Sequence, residues 1–134
     1  MNDDTDFSSV NVLVVEDEAF SLRFVGRVLE KLGVASVVGA ENGEQALEML
    51  ENAETPIDLV ISDIEMPEMD GFELVRRIRY GTVPQYKDVP ILMLTGQDTE
   101  DNVKKGRFHK IDGFIIKPPK PDLMSIHMKK ALGL

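Results

Sequence analysis

The hydrophobic positions of this chain alternate between short continuous apolar runs and longer segments with helical spacing. Continuous runs without polar alternation are typical of strands that are buried on both faces of a sheet. Such strands are predicted at residues 10–15, 34–40, 58–62, 91–94 and 113–116. Helical spacing predicts helices at residues 19–32, 43–52, 72–79, 99–108 and 121–132. Two prolines and a glycine predict a loop at residues 80–90.

The alternation of strands and helices predicts the fold class. Five strand–helix units favour an α/β domain with a doubly wound parallel sheet of five strands. A length of 134 residues fits one domain. We assign residues 10–134 to this domain and expect residues 1–9 to form a disordered or loosely ordered tail. Right-handed crossovers would bring the carboxyl ends of all five strands to one edge, where ligands of open α/β sheets bind.

Chemically reactive side chains follow four of the predicted strands. Glu16 and Asp17 come directly after the first strand, and Asp63 follows the third. Thr95 follows the fourth strand, and Lys117 follows the fifth. If these strands are neighbours, three carboxylates, a hydroxyl and an ammonium converge at one edge of the sheet.

Three converging carboxylates repel one another strongly, so they must bind a cation, share protons or destabilise the fold. Oxygen ligands of this kind suit Mg²⁺, or Mn²⁺, which keeps further positions for water and phosphate oxygens. Asp63 is then a candidate nucleophile, because a carboxylate can attack phosphorus and form an acyl phosphate. Lys117 would neutralise charge on the phosphoryl group and Thr95 would donate a hydrogen bond to it. The alternative for each acid alone is structural: Asp17 caps the following helix, and Asp63 starts a turn.

Composition and charge restrict the possible partners. The chain has no cysteine, which excludes disulfides and thiolate chemistry, and no apolar run approaches the ~18 residues of a membrane span. We therefore expect a cytoplasmic protein with no membrane contact. The formal net charge of −9 makes direct nucleic-acid binding unfavourable.

The charge is unevenly distributed along the chain. Residues 1–70 carry 17 acidic and 3 basic side chains, whereas residues 71–134 carry 7 acidic and 12 basic ones. This asymmetry has two interpretations, solvated helix faces or a basic face for an acidic protein partner. The basic side chains in question are Lys104, Lys105, Arg107, Lys110, Lys120, Lys129 and Lys130.

Four separated segments together resemble the receiver domain of two-component response regulators. They are Val-Leu-Val-Val-Glu-Asp-Glu at 12–18, Asp-Ile-Glu-Met-Pro-Glu-Met-Asp-Gly at 63–71, Leu-Thr-Gly at 94–96 and Ile-Lys-Pro at 116–118. The resemblance covers about residues 10–132, with the segments in the expected order and spacing. It implies a flavodoxin-like (βα)₅ fold with strand order 2-1-3-4-5. A member of the same family is a standard example of that strand order.

The resemblance also implies roles for the candidate residues. Asp63 would accept a phosphoryl group from a phosphohistidine on a sensor histidine kinase or a histidine phosphotransfer protein. The Mg²⁺ ligands would be Asp17, Asp63, the backbone carbonyl of Glu65, water and the side chain of Glu16. The only enzymatic activity expected is self-phosphorylation and autodephosphorylation.

The output of such a domain is a conformational switch. The resemblance implies that Thr95 moves toward the phosphate and that Phe114 rotates inward. These movements would remodel the surface of the fourth predicted helix, the fifth strand and the last helix, and that surface would bind a downstream protein target. The resemblance further implies a cis peptide between Lys117 and Pro118, and a monomer or a weak phosphorylation-dependent dimer.

Two positions near the predicted acceptor depart from the common pattern. Gly96 stands where the family usually has alanine, and the smaller residue could open the phosphate to water. Glu65 lies two residues after the acceptor, where its side chain could pair with Lys117, contact the metal or point to solvent. Both residues are candidate modulators of the lifetime of the phosphoryl group.

Other classes of protein fit the sequence less well. A pseudo-receiver would bind partners without accepting phosphate, but Asp17, Asp63, Thr95 and Lys117 are all present. A flavodoxin-like cofactor binder would need a Ser/Thr/Gly-rich phosphate loop, and a haloacid-dehalogenase-type phosphatase would need aspartate in place of Glu65. We expect a stand-alone receiver, with a fragment of a larger response regulator or hybrid kinase as the alternative.

Overall fold

The computed structural model describes residues 7–96 and 110–134. Five parallel strands form one sheet in the order β2-β1-β3-β4-β5, which confirms the predicted topology. The strands are β1 (Asn11–Val15), β2 (Ser36–Ala40), β3 (Leu59–Asp63), β4 (Ile91–Thr95) and β5 (Gly113–Ile116). Every pair of neighbouring strands is parallel.

Four α-helices in the described residues cover this sheet. They are α1 (Ala19–Lys31), α2 (Gly43–Glu51), α3 (Gly71–Arg79) and the C-terminal helix (Pro121–Leu132). Side chains at their amino ends define two of the starts: Asn42 accepts a hydrogen bond from the Gln45 amide, and Asp70 accepts one from the Glu73 amide. The predicted helix at 99–108 lies outside the described residues.

The core consists of two apolar layers, one on each face of the sheet. One layer contains Leu47 of α2 and Val75 of α3. The other contains Val25 of α1 and Met124 of the C-terminal helix. Strands β1, β3 and β4 contribute side chains to both layers, which explains why their sequences lack polar alternation.

The register places the polar strand ends side by side. Val15 pairs with Ala40 of β2 on one side and with Ser62 of β3 on the other. Asp63 pairs with Leu94, and the next residue of β4, Thr95, pairs with Ile116. The residues that follow β1 and β5 therefore emerge next to the carboxyl ends of β3 and β4, at one edge of the sheet.

Most predicted boundaries lie within two residues of the observed ones, and two differences concern the site. Asp63 and Thr95 are the last residues of their strands rather than the first residues of loops, so the sheet fixes both backbones. Within the loop predicted at 80–90, Pro84–Tyr86 forms a short 3₁₀ helix. The Tyr86 hydroxyl accepts a hydrogen bond from the Ile57 amide, which attaches this helix to the start of β3.

Only residues 7–9 of the tail predicted at 1–9 lie in the described ranges, and Phe7 packs against the domain. Phe7 is only 3% exposed and packs in the same core layer as Val25 and Met124. Its carbonyl also accepts a hydrogen bond from the Val10 amide. A single aromatic side chain outside the apolar runs carries no periodic signal, so the sequence pattern misses this contact.

Within the described ranges, no helix is both long and apolar enough to cross a membrane.

Candidate functional site

The acidic side chains that follow β1 and end β3 lie close together. Glu16, Asp17 and Asp63 each offer a carboxylate oxygen, and these oxygens lie within 4.8 Å of one another. Glu16 is fully buried, Asp63 is 7% exposed and Asp17 is exposed. The predicted convergence of the three carboxylates is therefore observed, with one acid at the surface and two below it.

Lys117 supplies the positive charge beside these acids. Its Nζ lies 2.8 Å from Glu16 Oε1 and 3.1 Å from Asp63 Oδ1. One ammonium therefore joins the end of β5 to the ends of β1 and β3. The peptide bond between Lys117 and Pro118 is cis, as the resemblance implies.

Burial and charge shift the ionisation of these groups in different directions. Burial, with a further contribution from the negative charge of Glu16, raises the pKa of Asp63 to about 6, although Lys117 opposes this rise. Burial also acts to raise the pKa of Glu16, but hydrogen bonds from Lys117 and Ser21 outweigh it and lower that pKa below its ordinary value. For Lys117, burial is outweighed by the two carboxylates, which raise its pKa. Of the two buried acids, Asp63 is therefore the one that binds a proton more readily.

An open cleft of about 420 Å³ lies above these charges. Its lining includes Asp17, Asp63, Thr95 and Lys117, together with the two candidate modulators. Thr95 is 5% exposed and ends β4 beside Asp63. The Asp63 side chain is therefore accessible to a ligand from the cleft, while its backbone is held in the sheet.

The two candidate modulators both lie at the rim of this cleft. Glu65 is exposed and makes no hydrogen bond or ion pair within the described residues, which favours the solvent-facing alternative. Gly96 is exposed as well, and a Cβ built on it would meet no heavy atom within 4 Å. Alanine would therefore fit at Gly96 without displacing a neighbour.

A glycine below the site fixes the path of the chain after Asp63. A Cβ on Gly71 would collide with the backbone carbonyl of Asp63 and would lie 2.6 Å from Met93 Cε. The Gly71 amide donates a 2.7 Å hydrogen bond to the Ile64 carbonyl. Only glycine allows the start of α3 to approach β3 this closely, so the Asp-Gly pair of the loop has a packing function.

Phe114 lies apart from the charged cluster. It is half-buried on β5 and packs against the core layer that also contains α2 and α3. It lines a separate cavity of about 380 Å³ between β5 and the C-terminal helix. The structure therefore brings Glu16, Asp17, Asp63, Thr95 and Lys117 together, and it places Phe114 elsewhere on the same domain.

The structural alternative for Asp17 is not observed. The residue at the N-cap of α1 is Glu18, and its side chain makes no capping hydrogen bond. Asp17 instead lines the cleft with an exposed carboxylate. Since all three acids present oxygen atoms, and hard divalent cations prefer oxygen, this donor set fits Mg²⁺.

Comparison with known proteins identifies the family. The family model of the response regulator receiver domain matches residues 12–129. The chain belongs to the response regulator receiver family.

Relatives and solved structures agree with this assignment. The receiver is 32% identical to "Chemotaxis protein CheY1" of Helicobacter pylori, over 92% of this chain and 98% of that protein. The structure of chemotaxis protein CheY4 of Vibrio cholerae has a TM-score of 0.83 and 32% identity, covering 92% of this chain and 99% of that one. The receiver domain of the histidine kinase CKI1 of Arabidopsis thaliana, complexed with Mg²⁺ and BeF₃⁻, has a TM-score of 0.82 and 25% identity, covering 96% and 93%.

The chain is thus a receiver domain of two-component signalling that resembles CheY. Receivers are regulatory phosphoacceptors that bind Mg²⁺ at an acidic pocket and typically interact with histidine kinases and downstream targets. The cluster of Glu16, Asp17 and Asp63 is an acidic pocket of this kind.

One polar residue beside the receiver's acidic pocket is absent from the candidates that the sequence provides. The Ser21 hydroxyl donates a 2.8 Å hydrogen bond to Glu16 Oε1. A signal for it does exist, because Ser21 precedes the buried Val25 and Val28 by four and seven positions. A serine in the apolar stripe of a helix needs a partner for its hydroxyl, and here that partner is the buried acid.

Proposed function

We propose that Asp63 accepts a phosphoryl group from a phosphohistidine and that the modified domain binds a downstream protein. The observation that supports this most directly is the Asp63 carboxylate, which faces an open cleft while Lys117 contacts one of its oxygens at 3.1 Å. The nucleophile and the neutralising cation are thus already in contact. Phosphoryl transfer depends mainly on such positioning and charge neutralisation.

The proposed step forms one bond and breaks one. A carboxylate oxygen of Asp63 attacks the phosphorus atom, the phosphorus–nitrogen bond to imidazole breaks, and the departing imidazole keeps the electron pair and takes a proton from solvent. The product on the receiver is an acyl phosphate. Lys117 offsets negative charge on the transferred group, and Thr95 donates a hydrogen bond to one of its oxygens.

Glu16, Asp17, Asp63 and the backbone carbonyl of Glu65 would hold the Mg²⁺ ion, whose positive charge would stabilise the phosphoryl oxygens during transfer. The close approach of three carboxylates supports this ligand set, because it leaves their repulsion only partly offset by one lysine. Mn²⁺ prefers similar ligands and should substitute.

The output surface is proposed around the second cavity, between β5 and the C-terminal helix, which Lys117 also lines. Ile116, Leu123 and Ile126 expose about half of their side chains there, at 48%, 50% and 58%. Ile116 and Leu123 line the same cavity as Phe114 and Lys120. Adjacent exposed apolar side chains of this size are typical of protein-binding sites. We propose that phosphorylation reshapes this surface through Thr95 and Phe114, in a cytoplasmic protein that is a monomer or a weak phosphorylation-dependent dimer.

The acceptor assignment is tested by intact mass after incubation with acetyl phosphate and Mg²⁺. We expect a gain of one phosphoryl group that disappears with EDTA and in Asp63→Asn. Asp122→Asn is the matched control, since Asp122 is an exposed aspartate in the first turn of the C-terminal helix. No gain in the unaltered protein would favour a pseudo-receiver that only binds partners. A gain that persists in Asp63→Asn would exclude Asp63 as the acceptor.

The switch is tested separately with beryllofluoride and Mg²⁺, the pair of ligands in the CKI1 receiver structure. Methyl resonances of Ile116, Leu123 and Ile126 should shift on addition, whereas those of Val38 on β2 should not. Unchanged resonances at all three positions, with the ligand demonstrably bound, would exclude this surface as the one that responds.

A further inference from the structure

Ser21 occupies a position that links α1 to the charged site. It lies in the first turn of the helix, and its hydroxyl donates a 2.8 Å hydrogen bond to Glu16 Oε1. Glu16 has no exposed surface, so its carboxylate depends entirely on protein donors. Within the described residues, the other donors to that carboxylate are Lys117 Nζ and, at 3.3 Å, the backbone amide of Glu18.

The same oxygen of Glu16 accepts from both Ser21 and Lys117. Lys117 Nζ lies 2.8 Å from Oε1, and the same nitrogen lies 3.1 Å from Asp63 Oδ1. A continuous series of polar contacts therefore runs from Ser21 through Glu16 and Lys117 to Asp63. The hydrogen bond of the Ser21 hydroxyl is made to Glu16 and reaches Asp63 only through this series.

We propose that Ser21 is a positioning residue that orients the Glu16 carboxylate and, through it, places the Lys117 ammonium against Asp63. Without the serine hydroxyl, Glu16 keeps only one short hydrogen bond, the one to a flexible lysine. A buried carboxylate that loses a donor reorients to replace it, and the ammonium follows. The inference rests on the proposed function for its effect on phosphoryl transfer, but the placement of Lys117 does not depend on that function.

The chain offers a matched control for this inference. Ser36 Oγ donates a 2.6 Å hydrogen bond to Asn11 Oδ1, between β1 and β2 at the opposite edge of the sheet. Like Ser21, Ser36 is half-buried and bonds to another side chain. Ser36→Ala therefore removes a comparable hydrogen bond without touching the cleft.

The experiment compares Ser21→Ala, Ser21→Thr and Ser36→Ala with the unaltered protein. The first readout is the NMR signal of the Lys117 side-chain ammonium in ¹⁵N-labelled protein without donor or metal, assigned with Lys117→Met. The second is the rate of Asp63 phosphorylation by acetyl phosphate at saturating Mg²⁺. Denaturation curves establish that each variant is folded.

We expect Ser21→Ala to shift or broaden the Lys117 signal and to slow phosphorylation about fivefold, which corresponds to the loss of one ordinary hydrogen bond. Ser21→Thr, which keeps a hydroxyl, should give both readouts as in the unaltered protein, and Ser36→Ala should leave both unchanged. The inference is overturned if Ser21→Ala matches Ser36→Ala in both readouts, or if Ser21→Thr loses as much as Ser21→Ala. If the unaltered protein takes no phosphoryl group, the proposed function fails, while the ammonium signal still decides the role of Ser21.

Discussion

The Lys117 ammonium lies 2.8 Å from the Glu16 carboxylate, although the two residues are 101 positions apart along the chain. The contact connects the loop after β5 to the loop after β1. It also leaves Lys117 in reach of Asp63, so that one cation is shared by two buried acids. The site is therefore balanced between attraction to one lysine and repulsion among carboxylates, and this balance has two measurable consequences.

The first consequence concerns stability and pH. The pKa of Asp63 rises from an ordinary 3.8 to about 6, with burial as the largest cause. The protonated carboxyl therefore favours the folded chain at low pH, and this contribution is lost as the pH rises through about 6. At pH 7.5 without divalent cations, Asp63→Asn should increase the free energy of unfolding by about 1–3 kcal/mol, since one pKa unit corresponds to about 1.4 kcal/mol.

Urea denaturation at pH 7.5 and at pH 4, in EDTA, checks this expectation. The gain in Asp63→Asn should shrink at the lower pH, where the carboxyl is protonated in the folded protein. Glu54→Gln, which alters an exposed acid in a loop, should change stability little at either pH. A less stable Asp63→Asn at pH 7.5 would contradict the raised pKa.

The second consequence concerns divalent cations. Mg²⁺ should raise the melting temperature of the unaltered protein, because an ion that binds only the folded state at about 100 times its Kd stabilises by about 2.7 kcal/mol. Asp17→Asn should abolish most of this response, since Asp17 is the exposed carboxylate of the cluster. Thermal melts with and without Mg²⁺ measure the difference, with Asp122→Asn as a control that should respond like the unaltered protein. An equal response in Asp17→Asn would remove it from the ligand set.

A third prediction follows from the close approach of α3 to β3. Gly71→Ala should lower the free energy of unfolding by about 1–3 kcal/mol, the usual effect of overpacking, because its methyl group would collide with the Asp63 carbonyl. Gly96→Ala is the matched substitution in open space and should be close to neutral. Chemical denaturation of both variants makes the comparison. Equal stabilities would mean that α3 can move away from β3 without cost.

A fourth prediction concerns the lifetime of the phosphoryl group on Asp63. A methyl group at position 96 would narrow the rim of the cleft above Asp63 and limit the access of water. Gly96→Ala should therefore lengthen the half-life of the acyl phosphate by about twofold or more. The measurement is the decay of the phosphorylated mass after removal of acetyl phosphate. Half-lives that agree within error would remove Gly96 as a modulator.

A fifth prediction concerns the backbone of the loop after Asp63. Glu68 has a φ of 69°, in the left-handed region that side chains with a Cβ adopt only at some energetic cost. Glu68→Gly should therefore be about 1 kcal/mol more stable than Glu68→Ala, because both lack the carboxylate and only alanine keeps the Cβ. Denaturation of the two variants side by side tests this. If the alanine variant proves as stable as the glycine variant, the loop adopts another backbone conformation in solution.

The sequence by itself determined the order of the strands and helices and most of the candidate site. Runs buried on both faces, such as β3, leave a signal that needs no tertiary information, because their residues are apolar on both faces until the polar end of the strand. The polar residue at the end of each run is equally visible, and this is why Asp63, Thr95 and Lys117 could be named in advance. The separated motifs then made the family recognisable.

The tertiary structure decided which of these groups touch and how they are charged. Only the parallel register brings Lys117 to both Glu16 and Asp63, and only full burial makes Glu16 depend on Ser21. Likewise, the burial of Phe7 follows from packing rather than from local pattern. Periodicity reports which face a residue lies on, whereas hydrogen bonds and pKa shifts depend on distances between segments that are remote in sequence.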